Sequence, residues 1–139
     1  MSSTRVALVT GASRGLGAVI ARRLATDGWT VAVNYRSEAE LAQRVVDDIR
    51  AGGGSAAAYP ADVTDETEVA DLAARVGAEL GPLLAVVANA TGPQPSAFLE
   101  ELTWDAYLDQ FRFFVKSPTL LAQAVLPAMK AQRFGRLIL

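Results

Sequence analysis

The stretch Thr10-Gly11-Ala12-Ser13-Arg14-Gly15-Leu16-Gly17 decides the fold, because the hydrophobic period of the chain changes across it. Before it, Arg5-Val6-Ala7-Leu8-Val9-Thr10 is continuously apolar in its middle, as a parallel strand covered on both faces must be. After it, Leu16, Ile20 and Leu24 repeat with helical spacing and Val19 stands beside them, until Gly28 supplies a stop. The reading is strand, tight turn, helix. Gly11 can make the tight exit from the strand, Gly15 can let a diphosphate approach the backbone, and Gly17 can let the helix pack close to the sheet. Unpaired N–H groups at such a helix start would receive phosphate oxygens.

Outward from this turn the same alternation recurs. Thr30-Val31-Ala32-Val33-Asn34 reads as a second strand, and Leu41, Val45 and Ile49 mark the next helix, with Gly52-Gly53-Gly54 as its exit. Ala56 to Tyr59 is a third strand, weak in propensity and closed by Pro60. Thr64 opens a helix with Glu66 and Glu68 in its first turn and Val69, Leu72 and Val76 on its inner face, ending at Gly81-Pro82. Leu83 to Ala88 is a fourth buried strand, and the polar turn Asn89-Ala90-Thr91-Gly92-Pro93 follows it, where a ligand loop belongs. One helix is expected from about Thr103 and a separate one from Ser117-Pro118, a cap followed by proline at the first helical position. Leu121, Val125 and Met129 would line its inner face, and Arg136 to Leu139 would begin a fifth strand. The expected architecture is α/β, a Rossmann-like doubly wound parallel sheet truncated at that strand, making residues 1–139 a partial dinucleotide-binding domain.

The composition narrows the classes of function. The chain has 139 residues, 51% hydrophobic and 20% charged, enough for one packed domain and too apolar for a disordered one. A net charge of -2 supplies no general pull toward nucleic acid or anionic membrane, so neither is expected as a partner. The absence of both Cys and His removes disulfides, thiol nucleophiles, imidazole bases and the usual soft metal ligands, and no metal site is expected. The N-terminal apolar run is too short for a membrane span and lacks the basic flank of a secretory signal, which makes a cytoplasmic location the default.

The common G-x-G-x-x-G form is not met, since its third glycine would fall at Ile20. The turn instead resembles the T-G-x-x-x-G-x-G variant of the short-chain dehydrogenase/reductase family, and the resemblance spans nearly the whole chain. It implies a nicotinamide dinucleotide held by Gly11, Ser13, Arg14, Gly15, Leu16 and Gly17. The second strand ends in Asn34-Tyr35-Arg36, without the acid that would receive the adenosine ribose hydroxyls of NAD. Arg36 could compensate a 2′-phosphate and Arg14 could approach the same charge, which favours NADP and leaves NAD as the alternative. The bland readings are a solvated charge at Arg36 and turn support at Arg14. Asp62-Val63 resembles the family's adenine-contacting pair, with a simple turn role as the other reading of Asp62. Asn89-Ala90-Thr91-Gly92 resembles the family's N-N-A-G segment, with Asn89 holding the strand exits in register and Gly92 permitting backbone approach to the ribose.

The family's proton-transfer group, Tyr-x-x-x-Lys with a preceding Ser, has no match. The residue four after Tyr107 is Phe111, those four before Lys116 and Lys130 are Arg112 and Leu126, and Tyr35 and Tyr59 have no lysine near them. The family's helical Asn is also missing: one count reaches Phe111 and another Phe114, which points to an insertion around Phe111-Arg112-Phe113-Phe114-Val115. Phe111, Phe113 and Phe114 are read either as core or protomer contacts or as the lining of an apolar pocket. No catalytic residue is assigned within 1–139. The expectation is the cofactor-binding portion of an NADP-dependent oxidoreductase acting on a small carbonyl or alcohol, inactive as this chain alone. The alternative is a nonenzymatic nucleotide- or partner-binding module. The apolar faces fit a homo-oligomer or surface bared by truncation.

Overall fold

The computed structural model describes residues 4–139. Five strands form one parallel sheet in the order β3-β2-β1-β4-β5: β1 (Val6–Val9), β2 (Thr30–Tyr35), β3 (Ser55–Pro60), β4 (Leu83–Val87) and β5 (Arg136–Ile138). The chain builds outward from β1 to β3, then returns across β1 to lay down β4, so the strand order reverses beside β1. In an open α/β sheet a ligand crevice forms at that reversal, beyond the carboxyl ends of the strands.

Helices cover both faces. Val31 and Val33 of β2 face α1 (Gly15–Thr26) and α2 (Ala39–Ala51), packing with Ala18, Ala21, Val45, Val46 and Ile49. Ala32, with Val6 and Leu8 of β1, faces the opposite layer, where α3 (Glu66–Glu79) and α5 (Ser117–Gln132) supply Leu72, Val76, Leu121, Val125 and Met129. Val6, Ala7, Leu8 and Val9 are each 0% exposed, which is why the first strand reads as an unbroken apolar run rather than an alternating one.

Three local readings are corrected by the structure. Leu16 and Val19 are 68% and 61% exposed, so they are not on the packed face of α1. The fully buried residues of α1 are Gly17, Ala18 and Ala21, with Ile20 and Leu24 packed at their edge as the periodicity predicts. The start of α3 is one residue later than expected: Asp65 caps it, its Oδ1 accepting the Glu68 amide at 2.9 Å, while Thr64 is turned toward Asp62. Finally, no break precedes Ser117. Residues 104–132 run as one helix in which α4 (Trp104–Phe111) passes through a π turn, Arg112–Lys116, into α5. Ser117 is 3% exposed, and its amide donates to the Arg112 carbonyl, the wide bond that defines the turn. Pro118 has no N–H to offer the preceding turn, and the helix continues past it through the widened turn.

Among the described residues no helix is long and apolar enough to cross a membrane, and no group of acidic side chains is arranged to hold a metal ion.

Candidate functional site

Beyond the carboxyl ends of β1, β2 and β4 lies a cleft of about 670 Å³. Its floor is the glycine turn. Gly11 and Gly15 have φ of +60° and +57°, the left-handed region that side chains disfavour. A Cβ on Gly11 would meet the Ala90 backbone at 3.0 Å, and one on Gly17 would meet the Gly11 carbonyl at 2.5 Å and the Asn89 amide nitrogen at 2.6 Å. Nothing lies within 4 Å of the corresponding point on Gly15, so the space above it is open. The N–H groups of Gly15, Leu16 and Gly17 have no acceptor among the described residues, no side chain caps α1, and its first turn carries no acid.

The turn is held from below by polar side chains. Asn34 is 1% exposed; its Oδ1 accepts the Gly11 amide at 3.2 Å and its Nδ2 donates to the carbonyls of Tyr59 and Ala61 at 3.2 and 3.3 Å. Its own carbonyl accepts the Ala12 amide at 2.8 Å. Both ends of the Asn34 side chain are therefore spent inside the protein, so it braces the cleft. On the other side the Thr10 hydroxyl accepts the amides of Asn89 and Ala90, both at 3.0 Å, and Asn89 Nδ2 donates to the carbonyls of Thr10 and Gly11 at 3.1 and 3.2 Å. Thr10 is a bracing residue that sequence reasoning did not single out, although the threonine leading the glycine motif was its signal.

At the β2–β3 end of the cleft stand Arg36, Asp62 and Val63, with Tyr35, Ser37 and Glu38 completing the wall. Arg36 is 74% exposed in its side chain and lies 3.8 Å from the Asp62 carboxylate, a loose pair that leaves the guanidinium available. Burial acts against the charged form of Asp62, but the Thr64 hydroxyl and amide bonds to Oδ1, at 2.7 and 2.9 Å, outweigh it. With Arg36 and Lys116 adding to them, the carboxyl is held below its ordinary value. Val63 is 4% exposed and packs mainly into the core beneath.

The structure thus places Gly11, Ser13, Arg14, Gly15, Leu16, Asn34, Arg36, Asp62, Val63, Asn89 and Gly92 on one cleft, and Gly17 just under it. Leu16 lines the cleft because it is turned off the packed face of α1. Gly92 differs from its sequence reading. The position a Cβ would take there is filled by the ring of Phe113, so the missing side chain makes room for an aromatic group of this chain. Phe113 lines the cleft, whereas Phe111 and Phe114 are 53% and 55% exposed outside it. Tyr107, Lys116 and Lys130 do not line it.

A glycine turn feeding a helix at the reversal point of a parallel sheet defines the Rossmann class of α/β proteins. The chain belongs to the short-chain dehydrogenase family, whose model matches residues 5–139. It is 38% identical over 140 residues to the 3-oxoacyl-[acyl-carrier-protein] reductase FabG of Staphylococcus aureus, covering 99% of this chain and 56% of that protein. It is also 38% identical to the uncharacterized oxidoreductase YxjF of Bacillus subtilis, covering 96% of this chain and 51% of YxjF. Among solved structures, a metagenomic short-chain oxidoreductase in complex with NADP superposes with a TM-score of 0.88 at 34% identity, covering 96% of this chain and 60% of that one. A gluconate 5-dehydrogenase from Burkholderia cenocepacia, in complex with NADP and tartrate, gives 0.85 at 32% identity, covering 96% and 51%. The chain spans about half the length of the curated relatives it matches.

Proposed function

We propose that this chain binds a nicotinamide dinucleotide in the switch-point cleft, NADP in preference to NAD, as the cofactor-binding portion of an oxidoreductase acting on a carbonyl or alcohol. The observation that carries the reading is the open space over Gly15 beside unpartnered first-turn amides, a cradle that accepts phosphate oxygens and that any side chain at this position would enter. Arg36, exposed at the end of β2, would meet a 2′-phosphate, and Asp62 would accept a hydrogen bond from the adenine amino group. The bound cofactor supplies or accepts the hydride. The residues of this chain bind and orient it. None is assigned to proton transfer, because no tyrosine and lysine share the cleft, and the 139-residue chain is proposed to be inactive alone. The two solved neighbours with NADP support the cofactor reading.

Titration calorimetry of the chain with NADPH and NADH tests this, alongside Arg36→Ala. Tighter binding of NADPH is expected, with the preference reduced about tenfold in R36A, the scale of one charge-assisted contact. Equal affinities in both proteins would defeat the phosphate assignment, and no binding of either would defeat the cofactor reading. An absorbance assay with NADPH and a carbonyl panel should show no turnover by this chain; reproducible turnover would overturn the proposed inactivity.

A further inference from the structure

The cleft has two unlike ends. If the linking phosphates sit over the Gly15 turn, as proposed above, the two nucleosides must diverge from it in opposite directions. The end beyond β2 and β3 offers Arg36 and Asp62, charged partners for the adenosine half. The end beyond β4 offers the Ala90–Pro93 loop and the ring of Phe113. The other nucleoside, which carries the nicotinamide, therefore runs toward an aromatic side chain.

Phe113 is held in place from two directions. Its ring lies directly on Gly92, in the volume a side chain there would need. The loop beneath it is tied to the same helix, Gln110 Nε2 donating to the Pro93 carbonyl at 2.9 Å. Phe113 lies in the π turn, where Ser117 bonds back to Arg112, and it lines the cleft, while Phe111 at the end of α4 and Phe114, three residues apart on another side of the helix, are more than half exposed at 53% and 55%.

We propose that Phe113 is a cofactor-contacting residue whose ring forms the apolar wall of the nicotinamide half of the cleft, with Gly92 as the gap that seats it. This rests on the dinucleotide reading and extends it to a residue of this chain. A flat, rigid ring against a flat heteroaromatic group gains stacking and excludes water without competing for hydrogen bonds.

The test separates the two halves of the ligand. NADPH and adenosine 2′,5′-bisphosphate, which lacks the nicotinamide nucleotide, are titrated into the unsubstituted chain, Phe113→Ala and Phe113→Leu. NADPH binding should weaken about three- to tenfold in F113A and less in F113L, the range of one aromatic stacking contact. Binding of the bisphosphate should be unchanged in both. Equal losses for the two ligands would make Phe113 merely structural, unchanged NADPH binding would remove it from the site, and tighter binding would make it an obstruction; each overturns the proposal. If F113A fails to fold, F113L and an intermolecular NOE between nicotinamide and Phe113 ring protons in the unsubstituted chain decide the matter, absence of the NOE overturning it. Failure of the bisphosphate to bind the unsubstituted chain would instead bring down the dinucleotide reading itself, and this inference with it.

Discussion

The glycine turn and the helical run Trp104–Gln132 both border the cleft, yet they were shaped by opposite constraints. In the turn, conformation follows from what is absent: positive φ at Gly11 and Gly15, and clearances at Gly17 that admit no Cβ. The polar groups at its strand end are satisfied by partners far along the chain, Asn34 and Asn89, while the first-turn amides of α1 stay unpartnered. The helical run is shaped by what is present: it passes Pro118 and a cluster of phenylalanines with one widened turn. A backbone fixed by close approach tolerates no added atom. One that has already departed from regular pitch has room to adjust.

The sharpest way to break this contrast is at Gly17. Gly17→Val should destabilise the chain by about 3 kcal/mol or prevent folding, since its side chain would enter the Gly11 carbonyl and the Asn89 amide. Gly15→Ala, facing open space, should cost only about 1 kcal/mol through its left-handed φ while weakening dinucleotide binding more than stability. Denaturant melts and calorimetry of the two variants check the difference, and equal destabilisation would erase it. Next in size is Asn34→Leu. Removing both ends of a 1%-exposed amide leaves the Gly11 N–H and the Tyr59 and Ala61 carbonyls without this partner, and a loss of about 2 kcal/mol in a urea melt is expected. In the helical run Pro118→Ala restores an N–H where the turn widened, and a change within about 1 kcal/mol is expected, because the packed face of α5 is untouched. The smallest effect belongs to Asp62. Its folded carboxyl titrates below its ordinary value, so its stabilising contribution is complete above the ordinary aspartate range and is lost as pH falls through the folded value. Asp62→Asn should therefore melt slightly below the unsubstituted chain at neutral pH, and the two curves should converge in acid.

The sheet and the position of the cleft were legible in the sequence because their signals are local: unbroken apolar runs for β1 and β4, and a glycine spacing that only a strand-to-helix turn satisfies. Periodicity places Ile20 and Leu24 correctly but misses Leu16, because at the start of α1 the close approach is made at Gly17 and Leu16 is turned into the cleft. Ser117-Pro118 misled for a related reason: a serine followed by proline serves a helix start and a widened turn equally well, and only the Ser117 amide bond to Arg112 tells them apart. Counting residues against the family pattern, forward from Trp104 and back from Leu126, reached Phe111 and Phe114 but not Phe113, the phenylalanine that lines the cleft. Asn34 shows the limit from the other side. Its partners are Gly11 just beyond β1, Tyr59 on β3 and Ala61 just past it, and no short motif announces bonds across such a separation.

The bracing by Thr10, Asn34 and Asn89 also has a dynamic consequence. Because these side chains join the exits of four neighbouring strands, a fluctuation that lifts one exit must break bonds to the others, and the floor of the crevice moves as a single plate. Deuterium uptake at the Gly11, Ala12 and Ala90 amides should then track global unfolding, not loop motion, and these surface-adjacent sites should rank with the slowest protons in the molecule.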